Sequence, residues 1–333
     1  MAIQRDRLDV DILYVGAGPA TLASAIRIAD LCQKHGVELP SILVIEKAEE
    51  IGGHQLSGAA MVPTPIAELI PEYREKGFPF HHEVTKDRVY LFTEKRAIRF
   101  PLPPPQFANH GNLIVSLSEV VKWLKDQAEA RGIEIYPGFP ASKLLFDGKR
   151  VIGVQIQDRG IDKDGAQKST FEAGAEIHAR GVVLGDGPRG SCTKQLLERQ
   201  PHLAGPNPQA YATGVKEIWK VKPENHEPGR VVHTLGWPAD PDSLGGSWIY
   251  DMKDHMVSIG YVTHLDTLNP YNDPHDNMQR FKLHPWVRRL LDGAEIIRYG
   301  AKTMPVGGLF SQPRLYTEGA LIVGDAASLC NGE

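Results

Sequence analysis

Hydrophobic and polar positions alternate cleanly at only a few places in this chain, and the first of them sets the pattern. From Asp9 an alternating, β-branched-rich run, Val10-Asp11-Ile12-Leu13-Tyr14-Val15, stops abruptly at Gly16-Ala17-Gly18, and Leu22 to Leu31 then places apolar residues at helical spacing. That is strand, tight turn, helix. Ser41-Ile42-Leu43-Val44-Ile45-Glu46-Lys47 reads as a second buried strand ending in a carboxylate. Beyond it the pattern predicts a short helix carrying Ile66, Leu69 and Ile70, then strands Arg88–Thr93 and Arg96–Phe100 around a Glu-Lys turn. A helix follows over Val115–Ala130, capped by Ser118, with Val120, Val121, Leu124 and Ala128 on one face. Ile133–Tyr136 is a strand, and Leu144–Phe146 and Val151–Ile156 form a hairpin around Asp147-Gly148-Lys149-Arg150. Phe171–Ala179 completes a three-stranded antiparallel meander. Gly181–Leu184 is again a buried strand, ending in Gly185-Asp186-Gly187 before a helix at Ser191–Arg199. Three strands follow at Arg230–Gly236, Gly246–Asp251 and Met256–Thr263, then a helix over Pro274–Leu291 with Phe281, Trp286 and Leu290 inward. A last strand, Gly319–Val323, ends in Gly324-Asp325.

Composition narrows the picture without changing it. The 333 residues suffice for about two domains, and 41% hydrophobic with 23% charged residues is ordinary for a globular chain. A net charge of −4 leaves no electrostatic footprint for nucleic acid. No apolar run approaches the roughly 20 residues that span a bilayer. The polar start, Met1 to Leu8, leaves no room for a leader before the first strand, so the expectation is a protein kept in a bacterial cytoplasm. The three cysteines, Cys32, Cys192 and Cys330, are far apart and form no Cys-x-x-Cys, which points away from a zinc or local iron–sulfur motif.

The candidate chemistry lies at strand ends. Gly16 lets the backbone turn out of the strand, and Gly18 lets a pyrophosphate approach the amides at the helix N-terminus. Thr21 stands where this fingerprint usually has its third glycine. Glu46 sits where an adenosine ribose would offer hydroxyls, and its charge argues for FAD or NAD over NADP. Gly52-Gly53-His54-Gln55-Leu56-Ser57-Gly58 is a glycine-rich loop at the ligand-binding edge of the sheet. Asp186 can cap the following helix or reach a cofactor hydroxyl. The rigid apolar segment Phe100-Pro101-Leu102-Pro103-Pro104-Pro105-Gln106-Phe107 either packs under another element or touches something greasy. Gly245-Gly246, paired in a strand, marks close approach by a ligand.

An N-terminal Gly-x-Gly-Pro-Ala, a mid-chain Gly-Asp-Gly and a late Val-Gly-Asp-Ala-Ala together resemble FAD enzymes of the glutathione-reductase-like and hydroxylase-like fold. Within that group the chain resembles the electron transfer flavoprotein–ubiquinone oxidoreductases. The stretches that carry the likeness are Ile51–Ala59, Asn109–Val115, Gly160–Gly165, Lys216–Trp219, Pro228–Val231, Gly245–Tyr250 and Tyr299–Ala301. The resemblance implies an α/β fold: a Rossmann-like FAD-binding domain with a parallel sheet and meander (1–70, 113–210 and 318–333), and an α+β quinone domain with a mixed or antiparallel sheet (71–112 and 211–317). It implies FAD held by Gly16, Gly18, Pro19, Ala20, Glu46, Lys47, His54, Ser57, Gly58, Asp186, Gly187, Gly324 and Asp325, with Ser57 and Asn331 tuning the flavin by hydrogen bonding. Gly245 and Gly246 would contact a ubiquinone head group, and Phe100–Leu117 would face a membrane.

The reaction so implied is that of an electron-transferring-flavoprotein dehydrogenase, which passes electrons from reduced electron transfer flavoprotein to membrane ubiquinone at the cytoplasmic face of a bacterial inner membrane, or at the mitochondrial inner membrane in eukaryotic relatives. Family members continue into a cysteine-rich domain with a four-iron four-sulfur cluster, which three scattered cysteines cannot bind, so the chain is expected to be a shortened member. The competing expectations are a flavin hydroxylase or geranylgeranyl-reductase-like flavoenzyme, and a non-catalytic fragment that does not retain FAD.

Overall fold

The computed structural model describes residues 3–55, 58–240 and 242–330. They fall into two compact units, one from Met1–His54, Val121–Gln209 and Gly307–Cys330, the other from Gln55–Val120 and Ala210–Val306. This partition shifts one expected border by a single residue, at Ala210, and differs from the expected domain borders over three longer stretches. Residues 55–70 and 113–120 go with the second unit because Ala59–Met61, Leu113–Val115 and Phe80–Glu83 pair as one small antiparallel sheet. Residues 307–317 go with the first, tied there by the Gly307 amide donating to Gln209 Oε1 (2.8 Å) and the Ser311 hydroxyl donating to Pro208 O (2.8 Å).

The first unit is built on a sheet in the order Tyr316–Thr317, Ala320–Ile322, Glu176–Leu184, Arg7–Val15, Ile42–Glu46, Glu134–Pro137, parallel except for its first pair. Parallel strands are covered on both faces, which is why they read as continuous apolar runs. On one face Leu13, Val15, Leu43, Ile45, Val182, Leu184 and Ile322 pack with Leu144, Val151, Val154 and Leu196. On the other, Tyr14 is fully buried and its hydroxyl meets Ser24 Oγ on the Pro19–His35 helix at 2.9 Å. The registers align Val15 with Ile45 and with Leu184, and Leu184 with Ile322. Four strands therefore stop level, and the turns that leave them share one edge.

The expected meander needs a correction. Gln167–Glu172 pairs with Arg159–Ile161 as a separate ribbon, and the third meander strand is Glu176–Leu184 itself. The first half of that strand pairs antiparallel with Arg150–Ile156, and the strand runs on into the parallel sheet. Ala179 and Gly181, expected in separate strands, thus belong to one. The helix after Leu113–Val115 starts at Leu117, so Ser118 lies inside its first turn and is not its cap.

The second unit has a seven-stranded mixed sheet in the order Glu295–Pro305, Tyr211–Lys220, Met256–His264, Gly245–Asp251, Arg230–Gly236, Lys86–Phe92, Ala97–Arg99. All neighbours are antiparallel except Arg230–Gly236 with Lys86–Phe92. One face packs Phe92, Val232, Ile249, Ile259 and Tyr261 against Met278, Phe281, Val287 and Leu290. The helix expected over Pro274–Leu291 is two, Pro274–Leu283 and Pro285–Leu290. Pro285 has no N–H to continue the first, and it starts the second with His284 Nδ1 accepting from the Trp286 amide (3.2 Å). On the opposite face Val84, Ile114, Val231 and Met252 pack with Ala60 and Tyr250, so the small three-stranded sheet covers that side.

Candidate functional site

The site grows from the level strand ends of the first unit. Gly16 has φ +96°, its amide donates to Ile45 O at 2.8 Å, and a Cβ there would lie 2.5 Å from Gly185 O. Only glycine fits. The Pro19–His35 helix then begins with Gly18 as N-cap and Pro19 at N1, with no side-chain cap and no acid in its first turn. Nothing lies within 4 Å of where a Gly18 Cβ would be. Uncapped amides at the positive end of a 17-residue helix, in front of open space, suit an anion such as a pyrophosphate.

Two other strand ends close on the same turn. The Gly185 amide donates to Val15 O (2.9 Å) and the Val323 amide to Leu184 O (2.9 Å). A Cβ on Gly185 would meet Thr21 Cγ2 at 2.3 Å, and one on Gly324 (φ +63°) would meet Ala20 Cβ at 3.1 Å. The loops at 16–18, at 185 and at 324 thus meet around the start of one helix. This also explains Thr21 in place of the third glycine. Its hydroxyl donates to Gly16 O (2.6 Å) and Gly18 O (2.9 Å), and the close helix–strand approach is made on the Gly185 side instead. Neither residue was in the expected site set, although the Gly-Asp-Gly triplet carried the signal.

Glu46 is buried at the end of its strand. Its Oε2 accepts from the Ala17 amide (2.8 Å) and its Oε1 from the Ala48 amide (2.9 Å), with His54 Nδ1 at 3.9 Å from Oε1. The carboxylate braces the glycine turn and keeps a second lone pair on each oxygen for a ligand hydroxyl. Lys47 and His54 are exposed. Asp186 works as the cap of the Ser191–Arg199 helix: Oδ2 accepts from the amides of Cys192 (2.9 Å) and Thr193 (3.1 Å), and Oδ1 from the Thr193 hydroxyl (2.6 Å). Gly187 follows with φ +84°. Asp325 opens a single 3-10 turn, Gly324–Ala327, where its carbonyl accepts from the Ser328 amide (3.0 Å). Among the described residues no group of His, Cys, Asp or Glu could hold a metal ion.

In the second unit, Gly58 (φ +114°) is buried, and a Cβ there would overlap Ser258 Oγ. A Cβ on Gly245 would lie 2.9 Å from Val262 O, and one on Gly246 2.9 Å from Thr234 O, so the sheet's own backbone demands glycine at both positions. Leu102 of the proline-rich segment is 79% exposed, while Phe107 packs over the His233 ring with centroids 5.3 Å apart. Ser57 and Asn331 lie outside the described residues.

A family model described as ETF-QO, ubiquinone-binding matches residues 211–304, and one described as FAD binding domain matches residues 58–216. The mitochondrial electron transfer flavoprotein-ubiquinone oxidoreductase of Dictyostelium discoideum is 44% identical over 324 residues, which is 97% of this chain and 53% of that protein. The chain belongs to the electron transfer flavoprotein–ubiquinone oxidoreductase family. The human member of the family is 42% identical over 333 residues, covering 99% of this chain and 54% of its own length. The chain thus spans about half the length of the curated relatives it matches. Solved structures agree on the fold of this family member. A geranylgeranyl bacteriochlorophyll reductase-like protein from Thermoplasma acidophilum superposes with a TM-score of 0.69 at 20% identity, over 97% of this chain and 72% of that one. A myxobacterial chondrochloren halogenase described as FAD-dependent gives 0.62 at 18%, over 97% and 70%.

Proposed function

We propose that this chain is the FAD- and quinone-binding portion of an oxidoreductase that takes electrons from reduced electron transfer flavoprotein and passes them to ubiquinone at a membrane surface. The observation that carries the reading is the convergence of three glycine-marked strand ends on one uncapped helix N-terminus, in a chain over 40% identical to proteins of that name. FAD would supply the electron-accepting and electron-donating ring. The chain's own residues then bind and orient. The amides of Gly18, Ala20 and Thr21 hold the pyrophosphate, Glu46 accepts from the ribose hydroxyls, and Asp325 holds the ribityl or phosphate end. His54, Ser57, Gly58 and Asn331 are assigned to the ring side, and Gly245 and Gly246 to the quinone head group, on the strength of the resemblance. The Phe100–Leu117 region is assigned to the membrane surface, at the cytoplasmic face in a bacterium. Among the described residues no helix is long and apolar enough to cross a membrane.

The hydroxylase and prenyl-reductase alternative is not favoured, because solved structures of that kind that superpose on this chain, at 20%, 18% and 15% identity, share the fold alone. The separating experiment is anaerobic reduction of the FAD-loaded chain. Reduced electron transfer flavoprotein should bleach the flavin band within the mixing time of a bench experiment, and NAD(P)H should not. Fast bleaching by NAD(P)H would overturn the reading. Glu46→Gln should weaken FAD binding by about tenfold or more, since an amide nitrogen would face one of two backbone N–H groups, a loss of about 1–3 kcal/mol. Unchanged affinity in a fluorescence titration would remove Glu46 from the site.

A further inference from the structure

The face of the second unit's sheet that lies under the small three-stranded sheet carries a line of polar groups. The register puts Asp87, Val231 and Tyr250 on one rung and Val89, His233 and Trp248 on the next. By strand alternation Gly246 shares that face, one further step along, about 7 Å from the His233 rung. His233 Nε2 and the Tyr250 hydroxyl are 2.9 Å apart. Asp87 Oδ2 accepts from the Asn109 amide. His233 Nδ1 and Asp87 Oδ1 are both buried with no partner, and such atoms in a folded chain normally meet water or a ligand. Phe107 covers the His233 ring, Trp248 lies beside Tyr250, and exposed His110 follows Asn109, whose amide meets Asp87.

The geometry points to a proton line, from solvent at the Asn109–His110 loop past Asp87 and Tyr250 to His233, that supplies one of the two protons ubiquinone takes up on reduction. This rests on the quinone reading above. Reduction to the quinol consumes two electrons, which reduced electron transfer flavoprotein supplies, and two protons, which its flavin does not have to supply. In the tautomer where Tyr250 donates to Nε2, His233 carries its proton on Nδ1, the unpartnered atom. One transfer per turnover breaks Nδ1–H and forms a quinol O–H. At the same time Nε2 takes the Tyr250 proton, and the tyrosine regains one from the Asp87 side through water. The other proton comes directly from solvent, and the imidazole re-forms Nδ1–H by exchange before the next turnover. Burial holds the imidazole down to about 4 and pushes the tyrosine hydroxyl and the Asp87 carboxyl up, so His233 works between neutral tautomers. The ionisable groups facing it are Asp87 and Tyr250 from the neighbouring strands, with Lys216 over the Trp248 ring at 5.4 Å.

The test compares two acceptors with the FAD-loaded chain and one donor: a water-soluble ubiquinone, which needs protons, and ferricenium, which needs none. Tyr250→Phe and Asp87→Asn should slow quinone reduction by about 100-fold with KM unchanged and an altered pH profile, and leave ferricenium reduction alone. Rates that fall together while the flavin band is retained, or that do not fall, would overturn the line. Wild-type chain that reduces ferricenium but not the quinone would overturn the quinone reading, and the proton line with it. Independently of activity, 15N NMR of the wild-type chain should show His233 neutral and protonated on Nδ1 through pH 6. The opposite tautomer, or titration near the ordinary histidine value, would contradict the proposal.

Discussion

Gly185→Ala should destabilise the first unit by about 1–3 kcal/mol and cost it most of its FAD, because the new methyl would sit 2.3 Å from Thr21 Cγ2. Thr21 cannot swing aside. It is β-branched and 1% exposed, and its hydroxyl is committed to Gly16 O and Gly18 O. Thr21→Ser keeps that hydroxyl and removes only the colliding methyl, so alone it should cost about 1 kcal/mol. Combined, the two changes should be less damaging than their sum by about 1–2 kcal/mol, and the double variant should recover FAD lost by Gly185→Ala. Urea denaturation with flavin content read alongside gives the cycle. Strict additivity would mean that Gly185 and Thr21 do not share the space that the strand ends enclose.

Arg230→Met carries the second large effect, in the other unit. Asp251 is fully buried and is held by Arg230 Nε (2.6 Å) and Nη2 (2.9 Å), while its Oδ1 also accepts from the Glu227 amide (2.9 Å). His226 Nε2 lies 4.0 Å from the same oxygen. Removing the guanidinium strands a carboxylate in the interior, at about 3–5 kcal/mol. Burial already pushes the Asp251 carboxyl above its ordinary value, with Arg230 and the Glu227 amide opposing the shift. Without Arg230 it rises further. A group whose folded-state pKa is raised binds its proton more tightly folded than unfolded, so stability returns as pH falls through that value. The defect should therefore be larger at pH 8 than at pH 5 in denaturant titrations. A defect that grows as pH falls would show that the charge is not what the variant exposes.

Elements with a strong local period were legible. The Arg230–Gly236 strand has the expected ends, and the Gly16–Gly18 turn and the carboxylate at Glu46 were readable because glycine and a terminal acid leave marks in sequence. The Glu295–Pro305 strand escaped because it is an edge strand with Ile296, Ile297 and Tyr299 all exposed, so no alternation marks it. The small sheet escaped because two of its strands are only three residues long. Gly185 escaped as a site residue because its role is to have no side chain opposite Thr21, a relation between positions 164 apart. Pairwise space of that kind is invisible to any window along the chain.

The most direct test of the central claim is a titration of the cofactor-free chain with FAD, followed by flavin fluorescence, with ADP as competitor. If the three strand ends grip the adenine dinucleotide around the Pro19–His35 helix, one FAD should bind per chain, ADP should displace it, and Gly16→Val should abolish both. Absence of saturable binding, or binding that Gly16→Val leaves intact, would contradict the account.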